Sequence, residues 1–177
     1  DGQAALLYTG SGETCDRAID LAGQKSSVWL QYAGTGLLKL TGEIVISGYG
    51  ADKTVVLSGG SAGAGELASA LGDPYDREGK ARTSLIKAGE GTWKLSGENT
   101  YSGATTVQGG TLAVAGPRCL GPRTQVKIEA GAAMELRFAG EMTVGGLILG
   151  GKAQPAGKYN ANNSAGSLKG PGVLVVK

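Results

Sequence analysis

The stretch "LIKAGEGTWKLSGENTYSGATTVQGGTLAVAG", residues 85–116, decides how this chain folds. Apolar and polar residues alternate in short runs, and a glycine closes each run. Period-two alternation sends successive side chains to opposite faces of a strand. Glycine at the end of each run supplies the backbone freedom a sharp corner needs. The stretch therefore reads as strand, corner, strand, corner. Its Gly-x-Gly precedes a strand, whereas a phosphate cradle wants glycines followed by a helix N-terminus.

The same unit recurs along the chain. "AGTGLLKLTG" at 33–42 and "AGEGTWKLSG" at 88–97 match at six of ten positions, 55 residues apart, and "GPGVLVV" at 170–176 repeats the Gly-x-Gly before an apolar strand. Gly34 and Gly36, Gly89 and Gly91, and Gly170 and Gly172 mark the corners. Further short strands are expected at 26–32, 42–48, 53–59, 104–110, 111–116, 125–131, 133–140 and 145–151. Their spacing of about 8–12 residues is an all-β signature shared by sandwiches, barrels and solenoids. Two-residue hairpins favour Asn-Gly or Asp-Gly. The chain has no Asn-Gly, and its one Asp-Gly is at residues 1–2, which favours stacked coils with parallel strands.

No segment reads as a firm helix. "GELASALGD" at 65–73 places Leu67 and Leu71 four apart, but before Asp73-Pro74 it is as compatible with a turn or a strand. The expected organisation is one domain over 1–177, with a repeat core at 85–116, a loop insertion at 73–82 and closing coils at 145–177.

Composition fits that reading. The chain has 33 Gly in 177 residues with 5 Pro, so it is turn-dense without being collagen-like. With 1 Phe, 2 Trp and 6 Tyr, small aliphatic side chains must fill a narrow interior. The 17 basic and 15 acidic residues are scattered and give a formal charge of +2, which points away from nucleic acid. No apolar run approaches the roughly 20 residues of a membrane span, so no membrane insertion is expected. The start "DGQAALLYTG" carries no Met and no charged-then-apolar leader, as expected after processing or inside a longer precursor.

Residues 85–116 resemble the autotransporter-associated β-strand repeat, also called the passenger-associated repeat. Its pattern, K-x-G-x-G-x-x-x-L-x-G-x-N-x-Y-x-G-x-T-x-V-x-x-G-x-L, is met in order by Lys87, Gly89, Gly91, Leu95, Gly97, Asn99, Tyr101, Gly103, Thr105, Val107, Gly110 and Leu112. The resemblance implies a right-handed parallel β-helix, a β-solenoid with Gly-rich corners, in a secreted or surface-exposed bacterial protein. It implies a structural role for the repeat, with Asn99 bonding backbone around a corner and Tyr101 packing across neighbouring coils.

Chemistry finds little purchase. The chain has no His, which removes a Ser-His or Cys-His triad and the commonest metal ligand. No cofactor or metal is expected. Asp73, Asp76 and Glu78 form a compact acidic group of the kind polysaccharide-cleaving β-helices use, but Arg77, Lys80 and Arg82 interleave with them and suggest a solvated loop. "GYGADKT" at 48–54 carries one copy of a calcium-repeat-like pattern that needs tandem copies. Cys15 and Cys119, 104 positions apart, are disulfide candidates within or between chains.

Trp29, Tyr32, Tyr49, Trp93 and Tyr101 are candidates for stacking on surface glycans, with packing along the coil as the alternative. Open strand edges at the solenoid ends invite self-association and filament growth. The sequence thus leads to a non-enzymatic, extracellular or cell-surface structural or adhesive solenoid. The competing reading is a carbohydrate-binding or stabilising module of a larger secreted protein.

Overall fold

The computed structural model describes residues 4–22, 26–47 and 50–177. Among these the chain is all strand, turn and corner, with no helix. It runs in circuits. The first comprises β1 (Ala4–Tyr8), β2 (Glu13–Cys15) and β3 (Ile19–Asp20), and the second β4 (Ser26–Tyr32), β5 (Leu37–Leu40) and β6 (Ile44–Val45). The third has β7 (Lys53–Gly59) and β8 (Ala64–Leu67), the fourth β9 (Thr83–Lys87) and β10 (Thr92–Leu95), and the fifth β11 (Thr105–Val107) and β12 (Thr111–Val114). The sixth has β13 (Gln125–Ile128), β14 (Ala133–Leu136) and β15 (Glu141–Val144). The last has β16 (Gly146–Leu149), β17 (Lys152–Ala153), β18 (Gly157–Tyr159), β19 (Leu168–Lys169) and β20 (Val173–Val176).

Each circuit lays its strands beside their counterparts in the one before. The first sheet is ordered β1-β4-β7-β9-β11-β13-β16-β17, and the second β2-β5-β8-β10-β12-β14-β19. Pairing is parallel from β1 to β16 and throughout the second sheet. Two smaller sheets, β3-β6 and β15-β20-β18, lie on a third side.

The register explains the alternation in the sequence. Val55, Leu85, Thr105, Val126 and Leu147 form one inward column of the first sheet, and Leu30, Leu57, Lys87, Val107 and Ile128 another. In the second sheet Leu40, Leu67, Leu95, Val114 and Leu136 stack in the same way. These residues are buried, and each enclosed Leu, Val or Ile contributes about 1.5–3 kcal/mol of transfer free energy. A single slip of register would turn a whole column outward.

The 55-residue repeat spans two circuits, from β5 to β10 with β8 between them. At its corner a methyl group on Gly91 would collide with the Gly60 carbonyl oxygen of the preceding circuit, so the backbones stack more closely than any other residue allows. The segment 65–73 is strand and turn: Leu67 lies in β8, and both Leu67 and Leu71 are buried.

One expectation needs correction. Disfavouring hairpins for want of Asn-Gly overlooked Gly150-Gly151, whose φ angles of 52° and 82° make a two-residue turn that folds β17 antiparallel onto β16. β18 likewise pairs antiparallel with β20. The closing residues thus lay two antiparallel strands on the last circuit. The stretch 73–82 is the largely exposed loop its charges suggest, with Pro74 and Ala81 as its buried residues. Of the stretch expected as a strand at 42–48, Ile44–Val45 forms β6, and residue 48 lies outside the described residues.

Candidate functional site

The motif residues converge on the fourth circuit and its neighbours. Leu95, Val107 and Leu112 are fully buried in the interior columns. Gly89 and Gly110 hold left-handed φ values of 72° and 61° at corners. Gly97 and Gly103 lie so close to the Ser69 and Thr83 carbonyl oxygens that a side chain at either would clash.

Asn99 is the polar hub of this region. It is 4% exposed, its Oδ1 accepts from the Leu71 amide at 2.8 Å, and its Nδ2 donates to the Cys119 carbonyl at 2.6 Å. One side chain thereby ties the circuit below to the circuit above. The sequence anticipated a bond to backbone at a corner, but not a link in both directions.

Tyr101 is fully enclosed and its hydroxyl lies 2.6 Å from Thr105 Oγ1, which lies 3.2 Å from Thr124 Oγ1. Thr124 donates to the Gly103 carbonyl at 2.7 Å. That last bond fixes the direction of the chain: Tyr101 donates to Thr105, and Thr105 to Thr124. Burial raises the Tyr101 pKa well above the ordinary phenol value.

Lys87 matched the motif without being given a role. Its side chain is fully buried, and Nζ donates to the carbonyls of Ala88 (2.8 Å), Gly89 (2.8 Å) and Gly109 (3.1 Å). Burial pulls its pKa down to about 8. Three carbonyls take the three hydrogens of the ammonium, so the lysine staples one corner to the next.

The acidic group turns out to be structural in its contacts. Asp73 accepts from the Thr83 amide at 2.7 Å and from the Ser102 amide at 3.0 and 3.1 Å, while Asp76 accepts from the amides of Glu78, Lys80 and Ala81. Those amides hold the Asp76 carboxyl below its usual range. Glu78 pairs with Lys80 at 2.7 Å on the surface. Asp52, in the calcium-like stretch, accepts from the Arg82 amide at 2.8 Å. Residues 48 and 49 of that stretch, Tyr49 among them, lie outside the described residues.

The aromatics divide sharply. Tyr32 and Trp93 are interior, with ring centroids 5.7 Å apart, and Trp93 Nε1 donates to the Ser58 carbonyl at 2.9 Å. With Tyr101 also inside, three of the five glycan-stacking candidates cannot meet a ligand. Trp29 stands on an outward position of the first sheet, next in register to Val56. Tyr75, which was not singled out from the sequence, is 72% exposed on the 73–82 loop.

Both cysteines are free thiols, with Cys15 partly exposed and Cys119 buried. Cys15 lies on β2, and Cys119 follows β12, four strand spacings along the second sheet. That separation is on the order of 19 Å, against the roughly 6 Å between Cα atoms that a disulfide spans. The expectation of a bridge within the chain is corrected accordingly. A corner cleft lined by Ser96, Glu98, Pro117, Arg118 and Cys119 has Glu98 and Arg118 3.5 Å apart, and burial pushes the Cys119 thiol up.

On the outer face of the second sheet, Glu66 is 6% exposed and sits in register between Lys39 and Lys94, at 3.4 and 3.3 Å. Burial pushes its carboxyl up, but the bonds from Ser96 and Lys94 and the nearby Lys39 outweigh this and leave it below the usual range.

Comparison with known proteins agrees with the geometry. Residues 85–114 match the family model of the passenger-associated-transport-repeat. The chain is 29% identical over 149 residues to the adhesin BmaC autotransporter of Brucella suis biovar 1 (strain 1330), an alignment covering 83% of this chain and 4% of that protein. No solved structure matches the chain.

Proposed function

We propose that this chain, which carries a passenger-associated transport repeat at residues 85–114, is a rigid, non-enzymatic β-solenoid segment of a bacterial surface adhesin. The path from β1 through the second sheet to β4 is a crossover between parallel neighbours. Such crossovers are right-handed in about 98% of cases, which supports a right-handed solenoid. One domain over 1–177 is the simplest division of a stack whose inward columns run unbroken from β4 to β16.

The observation that carries the reading is the fate of the repeat's polar side chains. Lys87, Asn99, Tyr101 and Thr105 all spend their hydrogen bonds inside the stack. They hold one circuit to the next, which supports a scaffold role. The relative named as an adhesin supports surface exposure and adhesion. Filament growth through the stack ends finds less support, because β17 and β18 lie antiparallel on the last circuit and interrupt head-to-tail addition.

The test uses antibody raised against the chain and beads coated with it. Labelling of intact, unpermeabilised producing cells, and bead attachment to host epithelial cells above albumin-coated controls, is the expected result. Labelling only after permeabilisation, or attachment equal to albumin, would overturn the proposal.

A further inference from the structure

The outer face of the first sheet differs chemically from the rest of the surface. Trp29, Val56 and Ile86 are adjacent in register on β4, β7 and β9 and all point outward. Val56 is nevertheless only 3% exposed, so its neighbours in that column roof it over. The outward positions of β4, β7, β9 and β11 carry no charged side chain, and hydroxyl and amide groups such as Gln31, Thr54 and Ser84 flank the apolar column. The second sheet instead places Lys39, Glu66 and Lys94 outward.

Two polar atoms on this face lack partners. Trp29 Nε1 and Ser58 Oγ are buried with no hydrogen bond, and Ser58 is 5% exposed. They lie on adjacent strands, two positions apart in register. An unmet buried donor costs about 1–3 kcal/mol, and neither the relay around Tyr101 nor the staple at Lys87 makes use of this pair.

We propose that the outer face of the first sheet around Trp29 binds a neutral glycan. The indole supplies the flat surface on which the C–H face of a pyranose stacks, as amphipathic aromatics do where one side is apolar and the other wet. Gln31 and Thr54 supply the hydrogen-bonding rim, and a turn of the ring uncovers Ser58 Oγ and brings Nε1 to a sugar hydroxyl.

The absence of charge on β4 to β11 disfavours an acidic polysaccharide, and Lys127, next in the column on β13, is neutralised by Glu129 at 2.7 Å. With Ala5 beside Trp29, the apolar column is four residues, far short of the roughly 800 Å² per partner that a stable protein interface buries. The inference rests on the surface-adhesive reading and gives that reading a ligand class.

The experiment titrates the purified chain with cellohexaose, xylohexaose, mannohexaose and chitohexaose, with heparin as the acidic comparison, and reads tryptophan emission and calorimetric heat. Trp93 is fully buried, so ligand-dependent emission reports Trp29. Binding of at least one neutral oligosaccharide, weakened about tenfold or more in Trp29→Ala and retained in Trp29→Tyr, is the expected result. Unchanged circular dichroism and melting establish that the variants are folded.

No response to any neutral sugar up to about 10 mM, a millimolar limit of weak recognition, would overturn the proposal. So would binding of heparin alone, affinity indifferent to Trp29→Ala, or a concentration-dependent dimer abolished by Trp29→Ala. Beads that adhere equally well with Trp29→Ala would sink the glycan site and leave the adhesin reading standing.

Discussion

Trp93 stands directly opposite Gly65 in the register of β10 and β8, and its indole occupies the space a side chain at 65 would need. The bulkiest residue of the interior is accommodated by the absence of a side chain one circuit away. Gly65→Val forces a branched group into that ring and should destabilise the fold by about 2–4 kcal/mol, at or above the usual range for overpacking. Urea unfolding followed by Trp93 emission measures it, and a loss below about 0.5 kcal/mol would show that the indole moves aside freely.

Asn99→Ala removes an acceptor from the Leu71 amide and a donor from the Cys119 carbonyl, leaving both stranded in the interior. The expected cost is about 2–4 kcal/mol, from two unmet backbone groups. Asn99→Asp keeps the acceptor but sets a carboxylate against a carbonyl, so it should recover little of the loss at neutral pH. Hydrogen exchange at Leu71 is the sharpest probe, and unchanged protection of that amide would count against the link.

Stability should rise between pH 8 and pH 9.5. Lys87 has a folded pKa of about 8 against an ordinary value of 10.5. Between those values the unfolded chain binds more protons than the folded one, so folding gains as pH increases. Below pH 8 both states are protonated and the penalty is complete. Integrated over the full window the gain is at most about 3 kcal/mol. Tyr101 opposes it at higher pH: its pKa is raised by burial, so its contribution is complete below pH 10, the ordinary phenol value, and is lost above it. Urea midpoints at pH 7.5 and 9.5 decide the matter, and in Lys87→Met the rise should vanish.

Under non-reducing conditions the monomer should show two titratable thiols. Cys15 reacts with a thiol reagent in the native state, while Cys119, buried and with its thiol pKa raised, reacts only on unfolding. Intact mass after alkylation of the native protein gives the count directly. A monomer with no free thiol would contradict the stacking distance between them.

Much of this architecture was legible in the sequence because one rule governs both. Alternation in 85–116 fixed which of Leu95, Val107 and Leu112 face inward, and Gly-x-Gly located the corners. The antiparallel close escaped because Gly-Gly, a hairpin dipeptide, also stands at ordinary corners such as 59–60 and 109–110, so it does not by itself separate a hairpin from a corner. Trp29 and Trp93 occupy similar alternating contexts, and only the register, which sets Gly65 beside one and Val56 beside the other, separates a core ring from a surface one. Lys87 matched the repeat pattern without showing its role, since nothing local reveals that three carbonyls from two successive corners surround it. Asp73 and Asp76 looked like a charge cluster because their partners are backbone amides, which leave no mark in composition.

The 55-residue repeat covers two circuits, and this limits how such a chain changes length in evolution. Leu38, Gly65 and Trp93 follow one another in register on β5, β8 and β10. Loss of the single circuit containing β8 would set Trp93 against Leu38 and crowd the interior. Duplication of the β8 and β10 circuits together would instead set each new Gly65 beside a Trp93. Past Trp93 the column continues as Leu112 and Met134, large against large, so the constraint is local: the circuit that carries Gly65 cannot be lost while Trp93 remains.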